Sequence, residues 1–201
     1  MAISLIPFYG SPNAHDGTAA WLGSIAILFL ASPAPCCADP APVIHYAPAE
    51  NLEHMDVELI DSARHEIDMA AYVLTDWPIM QALTRAADRC VKVRIYLDGT
   101  QLGERDLSRV FRDLAETPIV EIRTKHDHGA PMHLKSYQID GRVLRTGAAN
   151  FSASGLKQQD NDLIIIESAG AAAAFKHNFE DRFASGEVLT LGMKSLRRGT
   201  E

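Results

Sequence analysis

A histidine and a lysine two positions apart, His133 and Lys135, are the residues of this chain whose types and spacing most clearly suit chemistry. They lie in Met132-His133-Leu134-Lys135-Ser136-Tyr137-Gln138-Ile139-Asp140-Gly141, which alternates as a strand does. Residues two apart on a strand share a face, so His133 and Lys135 point the same way with Tyr137 beyond them, and Leu134, Ser136 and Gln138 point the other way. Asp140-Gly141 tolerates the positive φ of a two-residue hairpin turn. Arg142 to Thr146 is then the returning strand, and it leads into Gly147-Ala148-Ala149-Asn150-Phe151, which brings the Asn150 amide towards the imidazole and the ammonium. An imidazole is accessible in both protonation states near neutrality. Together with a fixed cation and an amide donor it suits an anionic tetrahedral group such as a phosphodiester. A lone histidine on a strand is more often a half-buried residue; the combined set favours catalysis. The turn position of Asp140 serves structure as well as chemistry, and Asn150 stands where it could cap a short helix.

Bulk properties restrict the field. A chain of 201 residues has room for one domain and an N-terminal extension. Its net charge of −7 argues against a surface coated in basic residues, though not against a local basic patch. Such a patch is present: from Glu121 to Lys157, Arg123, Lys125, Lys135, Arg142, Arg145 and Lys157 outnumber the acids, and His126, His128 and His133 add to them. Arg123 and Lys125 are candidates to line a groove for a phosphate backbone. The cysteines make no disulfide framework, since Cys36 and Cys37 are adjacent, and Cys90 reads as a buried small residue. No zinc-type Cys/His spacing and no HExxH motif occurs, so neither metal nor cofactor is expected.

The elements that must position these residues follow in order. Trp21 to Ala31 is an apolar run of signal-peptide length, followed by small residues that permit cleavage after Ala38, although Met1 to Ala20 carries no Lys or Arg. Residues 1–38 are therefore expected to direct the chain to the periplasm or beyond, 39–186 to form the domain, and 187–201 to be a tail. Strands are expected over 43–46, 91–97, 119–123 and 163–166, and 66–74 is a largely apolar run. Helices are expected over 51–64, over 77–89 behind the capping Thr75-Asp76 and Pro78, over 107–114, and over 169–184 with Phe175, Phe179 and Phe183 on a core stripe. This alternation indicates an α/β domain with a mixed central sheet flanked by helices.

His133-x-Lys135-x4-Asp140, continued by Gly147 and Asn150, resembles the HKD signature of the phospholipase D superfamily. More narrowly it is similar to the small bacterial endonucleases with one such motif per chain. The likeness covers Val43 to Ala184, with Ser62–Arg64 leading to Ile67–Tyr72 and Val91–Ile95 in support. It implies a phospholipase D-like fold and a phosphodiesterase that needs no metal or cofactor. One histidine attacks phosphorus to form a phosphohistidine; a second protonates the leaving oxygen and then activates water. Lys135 and Asn150 stabilise the non-bridging oxygens, and Gly147 and Asp140 complete the motif. A single motif implies a homodimer that brings His133 from both chains to one phosphate, with His126 or His128 acting in cis as the alternative. Two departures stand out. Ala148 occupies a position where the family has serine, and the acid that orients the histidine falls in Asp160-Asn161-Asp162, with a direct count landing on Asn161. The resemblance implies non-specific cleavage of nucleic acid, DNA foremost and RNA next. A phospholipase acting on head groups is the rival at the same site, and a non-catalytic phosphodiester-binding module is the rival of another class.

Overall fold

The computed structural model describes residues 39–102, 108–125 and 129–191. The signal-like segment 1–38, His126, His128 and the basic end of the tail lie outside the described residues.

Chain order is β1 (Val43–Ala47), α1 (Leu52–Ser62), β2 (Glu66–Ala71), α2 (Trp77–Asp88), β3 (Lys92–Asp98), α3 (Gly99–Leu102), α4 (Arg109–Ala115), β4 (Val120–Lys125), β5 (Lys135–Ile139), β6 (Val143–Thr146), α5 (Ala153–Lys157), β7 (Asn161–Glu167), α6 (Ala169–Ser185) and β8 (Glu187–Val188). Among the described residues the strands form one sheet in the order β1-β7-β6-β5-β2-β3-β4-β8. β2, β3 and β4 run parallel to one another, as helical crossovers require; β2 meets β5 antiparallel, and the remaining pairs are antiparallel. The expected mixed α/β sheet is present.

Strand alternation sends Ile67, Met69 and Ala71, with Val93, Ile95 and Leu97, into one core beneath α1, α2 and α4. Asp68 and Ala70, with Arg94 and Tyr96, face the opposite side, where α6 lies. There the expected stripe is met: Phe179 and Phe183 are buried, Phe175 packs beside them, and all join Ala70, Tyr96 and Met132. A buried guanidinium fastens this helix further. Arg94 donates to Asp68 at 2.7 Å and to Glu180 at 2.7 and 3.0 Å, and lies over both phenylalanine rings.

α2 shows how local sequence sets the element ends. Asp76 caps it, accepting from Ile79 N–H at 3.2 Å, and Pro78 sits in the first turn where its missing N–H costs nothing. At the other end Cys90 N–H donates to Ala87 and Val91 N–H to Ala86, at 2.8 and 3.0 Å, the paired bonds of a Schellman stop. That stop requires a left-handed residue, and Cys90 supplies it with φ of 65°.

Four expectations need correction here. Cys90 is exposed, because its left-handed position turns it out of the core. β5 starts at Lys135, so His133 precedes the strand and does not lie on it. The β5–β6 connection is one residue longer than a two-residue turn: Asp140 and Gly141 both have positive φ, and Arg142 N–H closes on Ile139 C=O at 3.0 Å, yet Ile139 faces Val143. The tail begins in structure, since Glu187–Val188 adds β8 beside β4.

A side chain held left-handed is strained by its Cβ, at a cost of about 1–2 kcal/mol, and glycine escapes that cost while losing more chain entropy. Cys90→Gly should therefore stabilise the domain by about 0.5–1 kcal/mol, read as a Tm higher by a few degrees. A lower Tm would contradict this account of the helix stop.

Candidate active site

The site is built where the N-terminal end of β5 meets the C-terminal ends of β2 and β3. Just before β5, Met132 N–H donates to Asp98 Oδ2 at 2.7 Å, while Thr100 N–H holds Oδ1 of the same buried carboxylate at 3.0 Å. Just after β2, Tyr72 N–H donates to Leu134 C=O at 2.8 Å. His133 is thus fixed by its neighbours on both sides while remaining exposed. Its ring lies 4.5 Å from that of Tyr72, centroid to centroid.

Lys135 reaches back to it. Nζ donates to the His133 carbonyl at 2.9 Å and stands 3.0 Å from Nδ1 and 3.1 Å from Nε2. A donor in line with one ring nitrogen cannot be equally near the other, because their lone pairs diverge. The ammonium therefore lies over the imidazole face and leaves both nitrogens open to other partners. It is also 5.1 Å from the Tyr72 centroid. Lys135 is only 7% exposed, and this burial lowers its pKa from the ordinary 10.5.

Beneath the lysine is a buried network that residue spacing alone did not reveal. Arg145 on β6 faces Tyr137 on β5, and both project towards α1. Its Nε and Nη2 each donate to Asp56 at 2.8 Å, and its Nη1 donates to the Lys135 carbonyl at 2.8 Å. Tyr137 Oη donates to the same Asp56 at 2.8 Å, and the guanidinium lies 4.6 Å from the centre of the Phe151 ring. Arg145 and Asp56 are both fully buried. Burial pushes the Asp56 carboxyl up, with Arg145 and Tyr137 pulling against it, and burial likewise raises the Tyr137 phenol.

The other expected residues divide into those near the site and those away from it. Asn150 does not cap α5; Ser152 does, accepting from Gly155 N–H at 3.2 Å. The segment after Asn150 runs beside the exit from β2: Phe151 bridges Leu74, and its carbonyl accepts from Thr75 and Asp76 N–H at 2.9 and 3.0 Å. Asn150 Oδ1 is buried without a hydrogen-bond partner among the described residues, and rotation of the amide would present its NH2 group there instead. Gly147 is required by close approach. Its φ is +143°, and a Cβ would stand 2.5 Å from Asp162 C=O.

Asp162 accepts from Ala148 N–H at 2.6 Å, so it braces the loop in which serine is missing. Asn161 donates to Gly155 C=O at 2.8 Å, and Asp160 is exposed; among the described residues none of the three hydrogen-bonds His133. Asp140 lies at the far end of β5. Burial opposes its ionisation, but N–H groups of Glu66, Arg64 and His65 donate to it at 2.8–2.9 Å and hold its carboxyl below the usual range. Its place is in the turn, away from the imidazole.

Lys125 stays near the site and Arg123 does not. A groove of about 800 Å³ opens at His133, lined by Thr124, Lys125, Arg182 and Ser185 among others. Lys125 Nζ also donates to Ala130 C=O at 2.6 Å. Arg123 instead bonds Glu121, donates to Phe183 C=O at 3.1 Å and stacks on the Phe183 ring, tying α6 to β4.

Residues 57–183 match the family described as "Cardiolipin synthase, PLD-like domain". The chain belongs to this phospholipase D-like family. Proteins named phospholipase D are similar to it: that of Rickettsia conorii is 35% identical over 127 residues, 63% of this chain and 61% of that protein. That of Rickettsia typhi is 30% identical over 144 residues, 71% and 68% of the two chains. The chain thus spans under two thirds of the Rickettsia conorii relative. Among solved structures, the phospholipase D family member Nuc from Salmonella typhimurium superposes with a TM-score of 0.68 at 24% identity, over 75% of this chain and 99% of its own. NucT from Helicobacter pylori does so with 0.68 at 21%, over 74% and 99%. At such identities these structures establish the shared phospholipase D-like fold.

Two outcomes follow from the buried lysine and its tie to Arg145. The ammonium gives up its proton at a less alkaline pH than a free lysine, so activity that needs its charge should fall off below 10.5. Lys135→Arg should lose that alkaline limb in whatever activity remains, which a pH profile of kcat checks. Arg145→Met alone strands Asp56 and should cost about 3–5 kcal/mol in denaturant unfolding. Adding Asp56→Leu should recover much of that stability while kcat stays low, because the Lys135 carbonyl has lost its donor. A double variant both stable and fully active would break the tie.

Proposed function

We propose that this chain is a metal-independent phosphodiesterase that cleaves nucleic acid without sequence preference, through a phosphohistidine formed at a homodimer seam. The observation that carries this reading is the ammonium of Lys135 lying over the His133 ring with both imidazole nitrogens left open. One imidazole nitrogen attacks phosphorus as the bond to the leaving oxygen breaks, and His133 of the partner subunit gives that oxygen its proton. The partner's His133, now neutral, takes a proton from water; the water oxygen attacks phosphorus, the P–N bond breaks and His133 is restored. Lys135 and the Asn150 amide offset the negative charge that concentrates on the non-bridging oxygens.

The shared site is inferred because the chain carries one His133-x-Lys135-x4-Asp140 motif while the mechanism needs two histidines. Nucleic acid is favoured over lipid by the open groove at His133, whose mixed lining carries Lys125 and Arg182 beside Glu187 and offers room for a chain of phosphates. Action in the periplasm or outside the cell is supported by the apolar run before Ala38. A second reading, hydrolysis of phospholipid head groups, is favoured by the name the Rickettsia relatives carry.

Plasmid and single-stranded oligonucleotide, incubated in excess EDTA, should be degraded by the wild type and spared by His133→Ala. Vesicle hydrolysis with nucleic acid intact would support the lipid reading, and binding without cleavage of any diester would leave a binding module. For the seam, wild-type chains assembled with an excess of His133→Ala chains should lose more activity than dilution explains. Simple additivity would show that each chain works alone.

A further inference from the structure

A second hollow, of about 270 Å³, opens at Tyr72. Leu74, Leu97 and Phe111 line it as buried apolar surface, and Tyr72, Trp77 and Gln101 add two aromatic rings and an amide. Tyr72 belongs to two places at once. Its ring contacts that of His133 at 4.5 Å and lies 5.1 Å from Lys135 Nζ, and the same residue walls the hollow. Its hydroxyl is tethered by Gln101 Nε2 at 3.1 Å. Whatever fills the hollow therefore touches the residue that also packs on His133.

Trp77 is the unusual residue here. It is 59% exposed at the start of α2, although Ile79, Met80 and Leu83 of the same helix are fully buried. Helix initiation does not need it, since Asp76 supplies the cap and Pro78 the first turn. Set at the mouth of an apolar hollow, its ring is a flat face that a ligand can cover. The hollow offers an aliphatic floor, aromatic walls and a polar edge from Thr75, Asp98, Gln101 and Ser108, which together suit a single planar heterocycle. Paired acyl chains fill far more than the roughly 270 Å³ of this hollow. A base inside a duplex is stacked and paired, so only an unpaired base can enter.

We propose that this hollow is a stacking subsite for one unpaired nucleobase beside the scissile phosphate, with Trp77 and Tyr72 as its platforms, and that it makes the chain selective for single-stranded nucleic acid. The proposal rests on the nuclease reading above and goes beyond it to the strandedness of the substrate.

Kinetics on a single-stranded oligonucleotide and on the same sequence as a duplex test it. Trp77→Ala should raise KM on the single strand about tenfold, the effect of losing one stacked base, and narrow the single-strand preference in kcat/KM. Trp77→Phe, which keeps a π face, should retain most of that preference. A preference unchanged in Trp77→Ala, with the wild type cutting nucleic acid, overturns the subsite and leaves the nuclease reading standing. A wild type that cuts no nucleic acid overturns both.

Fluorescence gives a readout independent of turnover. The chain has two tryptophans, so Trp21→Phe combined with His133→Ala isolates Trp77 in a protein that does not cleave. Oligothymidylate should quench it saturably. Binding seen by anisotropy without quenching overturns the proposal. A blue shift with phosphatidylglycerol vesicles and no response to oligothymidylate overturns it in favour of a lipid-facing indole.

Discussion

One guanidinium with no solvent contact, that of Arg145, sets the frame on which the reacting groups are hung. It spans α1 through Asp56, β5 through the Lys135 carbonyl, and the segment after Asn150 through the Phe151 ring. Three parts of the chain far apart in sequence are thereby brought to one rigid fork. A buried ion pair is poor evidence of stability, since apolar residues of similar volume often serve as well. Apolar residues cannot, however, hold a carbonyl at a fixed distance and angle. The geometry of the pair matters more than its strength: the backbone from which Lys135 springs is fixed, so the long side chain can reach back over the imidazole.

The sheet topology explains why the site lies where it does. β2 has a parallel neighbour, β3, on one side and an antiparallel neighbour, β5, on the other. Chain direction changes there, so the ends of β2, β3 and β4 gather with the beginning of β5, and a crevice opens where connections diverge. Tyr72, Asp98, Lys125 and His133 all come from those ends. The net charge of −7 is spread over the whole chain, whereas the groove at His133 is lined by Lys125 and Arg182 together with Glu187.

His133 and Lys135 could be picked out as a pair because their spacing carries meaning without a fold, and the structure brings them into contact; the strand–helix alternation foretold the architecture. Asp56 was hidden. It falls with Leu52 and Ile60 on the buried stripe of α1, where periodicity alone reads it as a polar interruption. Arg145 looked like part of a solvated basic patch, since a one-letter pattern does not show that its strand partner Tyr137 points into the core. Tyr72 was absorbed into an apolar run, and its contact with His133 depends on antiparallel register, which no local window contains. Cys90 misled for a similar reason: small and apolar suggests core, whereas a helix stop needed a left-handed residue. Which of Asp160, Asn161 and Asp162 would orient the histidine could not be read from spacing, and the Asp162 carboxylate accepts from the Ala148 amide.

The β5–β6 hairpin is fastened at both ends, and differently. Its closed end is anchored by Asp140, which collects three amides from the chain entering β2. Its open end delivers Lys135 on one arm and the Gly147–Asn150 loop on the other, with Ser136 and Thr146 bridged at 2.9 Å between the arms. Such an object behaves as a pair of tongs with a fixed pivot. The gap between the tips is set by the ladder between the arms, while the anchorage sets the direction in which the tips aim. Divergence in the turn can thus re-aim the two arms together towards a differently shaped diester without altering the grip between them.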